Sequence, residues 1–434
     1  MAVADPGVTS TRVRRQYEFL PYPHREAEEE KRRLLLTGLD DLNAVNHYCY
    51  RGRRNLKAGF RILVAGGGTG DAVVFLAHQL RHSMGEIVYV DLSEASQAVA
   101  KRRLRARGLE HRVHWIHGSL LDLPAMGLGK FDYINCSGVL HHLADPDAGL
   151  AALRQVLQDD GALGLMVYGQ YGRAGVYQMQ SLFRLIGDSS LSLGEQVDNA
   201  RRLLKTLPPC NWYRRGAEMF AGVDAMNDSE LLDMFLHTQD RAYTVPEIYE
   251  YLDKAGMHFA EWSAEGRVWY QPQIAFQDPE WRQRIMSLSP REQQAACEIF
   301  WGSIIKHALW ATPTPNTVAQ WSDPDMTPTW ARVAGVFSVR EGLINAPDGT
   351  WALDLPKPGG AKIQVRMKVD EVTRRFIALA DGYRSIAGIL EALSQQLPQL
   401  TRDELNRVCV DIFQLLNTHD ILLLRHSSVP FILD

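Results

Sequence analysis

The stretch Val64-Ala65-Gly66-Gly67-Gly68-Thr69-Gly70-Asp71 follows a short apolar run, Phe60 to Ala65, and opens a helical pattern, Asp71 to Arg81. Glycines at such a bend let the backbone turn sharply and approach a ligand with no Cβ in the way. The helix behind the bend offers unpaired N–H groups. Two chemistries use this arrangement, dinucleotide binding and S-adenosylmethionine binding. The dinucleotide fingerprint requires G-x-G-x-x-G/A. Counted from Gly66 its third position falls on Asp71, and counted from Gly68 on Val73. An acidic residue at the helix start also opposes a diphosphate where the helix dipole favours an anion. S-adenosylmethionine has no phosphate and carries a sulfonium, so Asp71 is read as facing its cationic part.

Outward from the bend, strands and helices alternate. Glu86 to Val90 reads as a strand ending at Asp91, and Ser93 to Gly108 as a helix with Ser93 as N-cap. Val113 to His117, Phe131 to Cys136 and Ala162 to Tyr168 read as further strands, with a helix over Asp147 to Leu157. This spacing predicts an α/β fold, a doubly wound parallel sheet covered on both faces. Asp91 closes the second strand about 20 residues past the bend, where a carboxylate can accept both ribose hydroxyls.

Residues 60–168 resemble a class I S-adenosylmethionine-dependent methyltransferase. The resemblance rests on Gly66, Gly68 and Gly70, on Asp91-Leu92-Ser93, on Gly118 to Pro124, and on Phe131-Asp132-Tyr133 running to Gly138-Val139-Leu140-His141-His142-Leu143. It implies a seven-stranded Rossmann-like sheet with an antiparallel last hairpin, and S-adenosylhomocysteine as the product. It also implies cosubstrate contacts from Gly66, Gly67, Gly68, Thr69, Gly70, Asp71, Asp91, Leu92, Ser93, Ser119, Leu120 and Asn135. Two positions depart from the family pattern. Val64 stands where an acidic residue is common, and Ser119 where an acidic residue often meets the adenine amine.

Ligands of open parallel sheets bind beyond the carboxyl ends of the strands. Asn135 to His142 and Tyr168 to Tyr177 are therefore the candidate acceptor side. His141 and His142 point about 100° apart on a helix. One is expected to pack while the other takes a proton from the acceptor; the alternative is that both are structural. In the Tyr168 to Tyr177 loop, Tyr168 and Tyr171 offer flat walls and Arg173 a grip on a carboxylate. The polar cluster from His237 to Tyr243 lines a cleft or forms a structural corner. Tyr17 and Tyr22 lie in an aromatic and proline segment, Tyr17 to Pro23, read as an extended arm that folds over the cosubstrate or packs on the surface.

The remainder divides the 434 residues into 1–55 (N-terminal arm and helices), 56–170 (methyltransferase core), 171–330 (helical substrate or lid region) and 331–434 (a small C-terminal domain). The first ten residues read as a tail, Arg12 to Asn55 as helical, and Glu28 to Arg33 as a solvated helix face. Ser289 to Leu309 reads as one helix with a Ser289/Glu292 capping box, Thr312 to Trp330 as a linker, and Phe337 to Asp354 as short strands. Val369 to Asp381, Ser385 to Leu397 and Thr401 to Asn417 read as helices, and Ile421 to Leu424 as a strand. The turn Asp381-Gly382-Tyr383-Arg384-Ser385 resembles that of PqqD-like winged-helix modules. That resemblance implies leader-peptide binding at a strand edge; a dimerisation or regulatory cap is the alternative.

Composition narrows the function. With 46% hydrophobic and 23% charged residues the chain is globular rather than disordered. A net charge of −4 supplies no basic field for nucleic acid, which disfavours an RNA acceptor. The five cysteines show no C-x-x-C spacing, so no metal site is expected and the thiols are read as those of a reduced, cytoplasmic protein. No apolar run is long enough for a membrane span, and the N-terminus lacks the apolar stretch of a secretory signal. The leading expectation is methyl transfer to a protein or peptide side chain. The alternatives are a small-molecule methyltransferase with lid and dimerisation domains, the latter giving a homodimer, and a non-catalytic S-adenosylmethionine sensor.

Overall fold

The apolar run Arg61–Ala65 forms β1, an interior strand of the sheet. The computed structural model describes residues 6–432, leaving out 189, 221, 264–265, 332–335, 357–361 and 431. After β1 come β2 (Glu86–Asp91), β3 (Val113–His117), β4 (Phe131–Ser137) and β5 (Leu157–Gly169). All five run parallel, and β1 lies between β2 and β4. The middle region adds β6 (Ala242–Tyr243), β7 (His258–Trp262) and β8 (Lys306–Thr312). The order is β3-β2-β1-β4-β5-β8-β7, with β6 beside β5. β8 runs antiparallel to both β5 and β7, as the expected last hairpin.

Period-two alternation splits the strands between two cores. Leu63, Val88 and Ile134 join one apolar cluster, while Ile62, Val64 and Tyr89 join the other. Burial on both faces explains why β1 reads as continuously apolar. Chain order reverses on either side of β1, so the carboxyl ends of β1 and β4 open the crevice where a ligand sits.

Several expectations change. Residues 1–5 lie outside the described residues; the helix expected from Arg12 is present but runs Pro6–Phe19, taking in part of the expected tail and the first residues of the expected arm. It is held in place because Glu18 accepts hydrogen bonds from the Glu94 and Ala95 N–H groups at the start of the helix Glu94–Ala106. Only the segment after Leu20 crosses the glycine bend as an irregular strap. Of the region read as helical up to Asn55, Ala27–Lys31 and Gly38–Asp40 are 3-10 turns and Leu42–Cys49 is an α-helix. The helix begun by the Ser289/Glu292 capping box ends at Trp301, because Gly302 turns left-handed with φ 60°, and the rest of that stretch becomes β8.

Within the stretch read as a linker, β9 (Met326–Trp330) pairs antiparallel with the last strand. Where short strands were expected, a helix spans Val336–Asn345. β10 (Gly349–Pro356) and β11 (Lys362–Val369) then form a hairpin. Three helices, Glu371–Leu379, Ile386–Gln396 and Arg402–Thr418, lead to β12 (Leu422–His426) around a separate core. This domain is joined to the sheet domain by buried polar groups. Arg267 pairs with Asp420 at 3.2 Å and Glu261 at 3.0 Å, and His47 Nδ1 accepts the Leu424 N–H at 3.0 Å. Burial pushes the His47 imidazole down to about 3, so it stays neutral in the junction.

Candidate active site

A cavity of about 640 Å³ lies beyond the carboxyl ends of the parallel strands. One end is walled by Gly66, Gly67, Gly68, Asp91 and Leu92, with Ser119, Leu120 and Asn135 alongside. The other end is walled by Tyr17, Tyr22, His142, Tyr168, Arg173 and Asp233.

The glycine end is shaped by sterics. Gly66 has φ 72°, and a Cβ there would sit 2.4 Å from Val139 Cγ2. A Cβ on Gly67 would sit 2.1 Å from the Tyr89 ring. Gly66→Ala is therefore expected to cost about 1–3 kcal/mol in backbone strain and to weaken cosubstrate binding. Thermal melts and calorimetry check this; wild-type values in both would show that the bend tolerates a side chain. The Asp91 carboxylate accepts the Gly68 N–H at 2.8 Å with one oxygen and the Ser93 N–H at 2.8 Å with the other. Burial pushes its carboxyl up, and these two N–H groups oppose that rise. A cradle free of Cβ atoms beside a fixed carboxylate fits an adenosyl group with its ribose diol.

Thr69, Gly70 and Ser93 do not line this cavity. Thr69 is buried and its hydroxyl donates to the Pro23 carbonyl at 2.6 Å. A Cβ on Gly70 would meet Ala100, so that glycine lets two helices close together. Ser93 caps the helix Glu94–Ala106 and donates to the Tyr17 carbonyl at 3.2 Å. All three brace the bend from behind.

Asp71 lines the cavity, yet its charge is already matched. It accepts from Arg25 at 2.8 and 2.7 Å and from Arg103 at 2.7 Å. Burial pushes its carboxyl up, but the two guanidinium groups outweigh that and hold it below the usual range. The reading of Asp71 as a bare charge that greets a sulfonium and repels a diphosphate is thus corrected. In the Glu28 to Arg33 run five residues are exposed as expected, and only Glu30 departs from that reading. Glu30 is buried, 2.6 Å from Arg103 and 2.6 Å from Arg107, and ties the strap to the sheet domain.

At the acceptor end the two histidines part. His141 is fully buried, neither ring nitrogen has a partner, and its ring packs 4.1 Å from both His142 and Tyr168. Burial pushes it well down, so it stays neutral. His142 lines the cavity, and its Nδ1 lies 2.8 Å from the Gln239 carbonyl oxygen. A carbonyl only accepts, so Nδ1 carries a proton there, and Nε2 is the nitrogen left to exchange one.

His237 is set the opposite way. The Gln239 N–H donates to its Nδ1 at 3.1 Å, which leaves the proton on Nε2, 3.3 Å from the Tyr17 hydroxyl. Tyr17 in turn donates to Asp233 Oδ1 at 2.9 Å, and Tyr168 donates to Oδ2 at 3.1 Å. Burial, then the Asp233 charge, pushes both phenols well up, so both remain donors. His142, Asp233 and His237 place metal-type atoms within 4.8 Å of one another. His237 Nε2 is protonated and its ring stacks on His142 at 3.8 Å, so the group hydrogen-bonds rather than ligates.

Arg173 lines the cavity, but it pairs with Asp240 at 3.4 Å and covers the Tyr168 ring at 3.6 Å. The carboxylate it meets here is that of Asp240. Tyr171 is 38% exposed and lies outside the cavity. The His237 to Tyr243 cluster is a hydrogen-bonded corner that also sets the site, through Gln239 and Asp240. Asn135 reaches the cavity wall while its amide donates to Asp40 at 2.8 Å. Asp233, Arg25 and Asp40 escaped sequence reading, since each gains its role from a distant partner.

Residues 63–163 match a protein family described as a methyltransferase domain. An uncharacterized Synechococcus protein is 34% identical over 266 residues, 61% of this chain and 63% of that protein. A ubiquinone/menaquinone biosynthesis C-methyltransferase of Vibrio parahaemolyticus is 29% identical over 114 residues, 26% of this chain and 43% of that protein. A tRNA 5-carboxymethoxyuridine methyltransferase of Escherichia coli K12 is 31% identical over 112 residues, 26% of this chain and 41% of that protein. The chain thus spans less than two thirds of the length of these relatives. Among solved structures, PKMT2 from Rickettsia typhi in complex with AdoHcy superposes with a TM-score of 0.62 at 14% identity, covering 91% of this chain and 77% of that one. That likeness extends the shared fold well beyond the sheet. Sheet order, glycine cradle and domain match agree: residues 63–163 are similar to a methyltransferase domain, in a Rossmann-like fold whose cosubstrate is S-adenosylmethionine.

Proposed function

We propose that the protein transfers a methyl group from S-adenosylmethionine to a side chain of a protein or peptide. The observation that carries the transfer is the continuity of one cavity from the glycine cradle to Tyr17, His142, Tyr168 and Asp233. A sulfonium needs little covalent help. The protein must align nucleophile, carbon and sulfur, exclude water and take up a proton. The strap from Leu20 to Lys31 closes over the cradle, and His142 offers Nε2 for proton uptake.

The C-terminal domain supports a polypeptide acceptor. β10 and β11 form a two-stranded sheet of their own, which leaves an outer edge on each strand among the described residues. Such edges take up extended peptides by main-chain hydrogen bonding, as the PqqD-like resemblance implies. No helix among the described residues is long and apolar enough to cross a membrane.

Incubating the full chain and labelled S-adenosylmethionine with a cell lysate tests this reading. Label is expected in a fraction destroyed by protease and resistant to nuclease. Label confined to small molecules or to RNA would reject a polypeptide acceptor, and no label in any fraction would favour a sensor.

A further inference from the structure

We infer that the acceptor is an amine, admitted as an ammonium ion whose counter-charge is Asp233. This rests on the transfer proposed above and adds the chemical class of the nucleophile.

Asp233 is 3% exposed and lines the cavity. Its two oxygens accept the Tyr17 and Tyr168 hydroxyls, which are neutral donors. The nearby Arg173 pairs with Asp240 instead. Among the described residues no ion pair is formed with Asp233. A carboxylate removed from water needs a partner of opposite sign, or it protonates. Burial pushes its carboxyl up, and His142, the Tyr17 hydroxyl and Arg173 only partly oppose that rise. An incoming ammonium supplies the missing charge and makes hydrogen bonds that water no longer provides. An enolate or carboxylate acceptor would meet like charge at the same point.

The neighbouring groups suit the rest of the step. An ammonium has no lone pair and must lose a proton before it attacks. His142 Nε2 takes that proton, since the Gln239 carbonyl holds the ring's own proton on Nδ1. The neutral amine then forms the N–C bond as the C–S bond breaks. The sulfur keeps the bonding electrons as a thioether, and the positive charge passes from sulfur to nitrogen. While the amine is neutral the positive charge rests on His142, whose ring nitrogen lies within 4.8 Å of an Asp233 oxygen, and the methylated product is again a cation. His237 and Tyr17 hold the carboxylate's orientation through Nε2–H, the phenol and Oδ1.

The test uses lysate protein offered to the full chain with labelled S-adenosylmethionine, before and after the amines of that protein are acetylated. Acetylation is expected to abolish labelling, and the label is expected to resist mild base, which hydrolyses methyl esters. Asp233→Asn keeps the shape and removes the charge. It is expected to lower transfer about 100-fold, mostly by raising KM for the protein fraction, with S-adenosylmethionine affinity within about twofold of wild type as evidence of an intact fold. Equal labelling after acetylation, a base-labile product, or an Asp233→Asn variant with wild-type transfer overturns the inference. Absence of protein label rejects the preceding reading instead, so the two fail separately.

Discussion

Asp91→Ala is expected to weaken S-adenosylmethionine binding by about 1–3 kcal/mol through lost hydrogen bonds alone, roughly 5- to 150-fold in affinity. Two losses combine. The ribose loses its acceptor, and the Gly68 and Ser93 N–H groups lose the carboxylate that ties the bend to the next helix. Asp91→Asn separates the two, because its amide oxygen still accepts one N–H while the charge is gone; an intermediate loss is expected. Calorimetry on both variants reads this directly. Wild-type affinity in Asp91→Ala would remove Asp91 from the site.

Arg103→Met carries the largest expected effect on stability. Arg103 is buried and donates to Glu30 at 2.9 and 2.6 Å, to the Thr69 carbonyl at 2.9 Å and to Asp71 at 2.7 Å. Breaking a buried pair by removing one partner costs about 3–5 kcal/mol, because the other charge stays behind. Arg107 still reaches Glu30 and Arg25 still reaches Asp71, which places the cost at about 3 kcal/mol, the lower end of that range. Urea unfolding measures it. The strap is anchored through Glu30 and Arg25, so cosubstrate affinity is expected to fall as well. A cost below about 1 kcal/mol, the value of an exposed pair, would show that Arg103 works as a surface residue.

What could be read in advance was local. The bend at Gly66 to Gly70, the parallel strands and the start of the helix after Ser93 each follow from a few neighbouring residues. Elements set by distant partners were not legible. β8 lies in a stretch that scans as helix through to Leu309, and short apolar runs suit either periodicity. Gly302 and the open flank of β5 decide the outcome. Glu30 sits in a charge run that reads as solvated, and its partner Arg103 is 73 positions away. Asp71 was visible as an acidic helix start, but neither arginine that neutralises it is nearby in sequence.

The acceptor end shows the same limit more sharply. His142 was singled out from its motif, whereas the proton on its Nδ1 is dictated by a carbonyl 97 positions away. Asp233 stands in an ordinary amphipathic helix, Asp228–Phe235, and becomes notable only where Tyr17 and Tyr168 converge on it. Arg173 looked available for a substrate until Asp240 and the Tyr168 ring were seen to occupy it.

Because Asp71 is neutralised, charge at the helix start no longer argues for one cosubstrate over another. The assignment stands on the cradle, the Asp91 carboxylate and the shared domain. Titrating the full chain calorimetrically with S-adenosylmethionine, S-adenosylhomocysteine and NAD, one at a time, tests it most directly. Saturable binding of both adenosyl sulfur compounds with no heat from NAD is the predicted result, and tighter binding of NAD than of either would contradict the account.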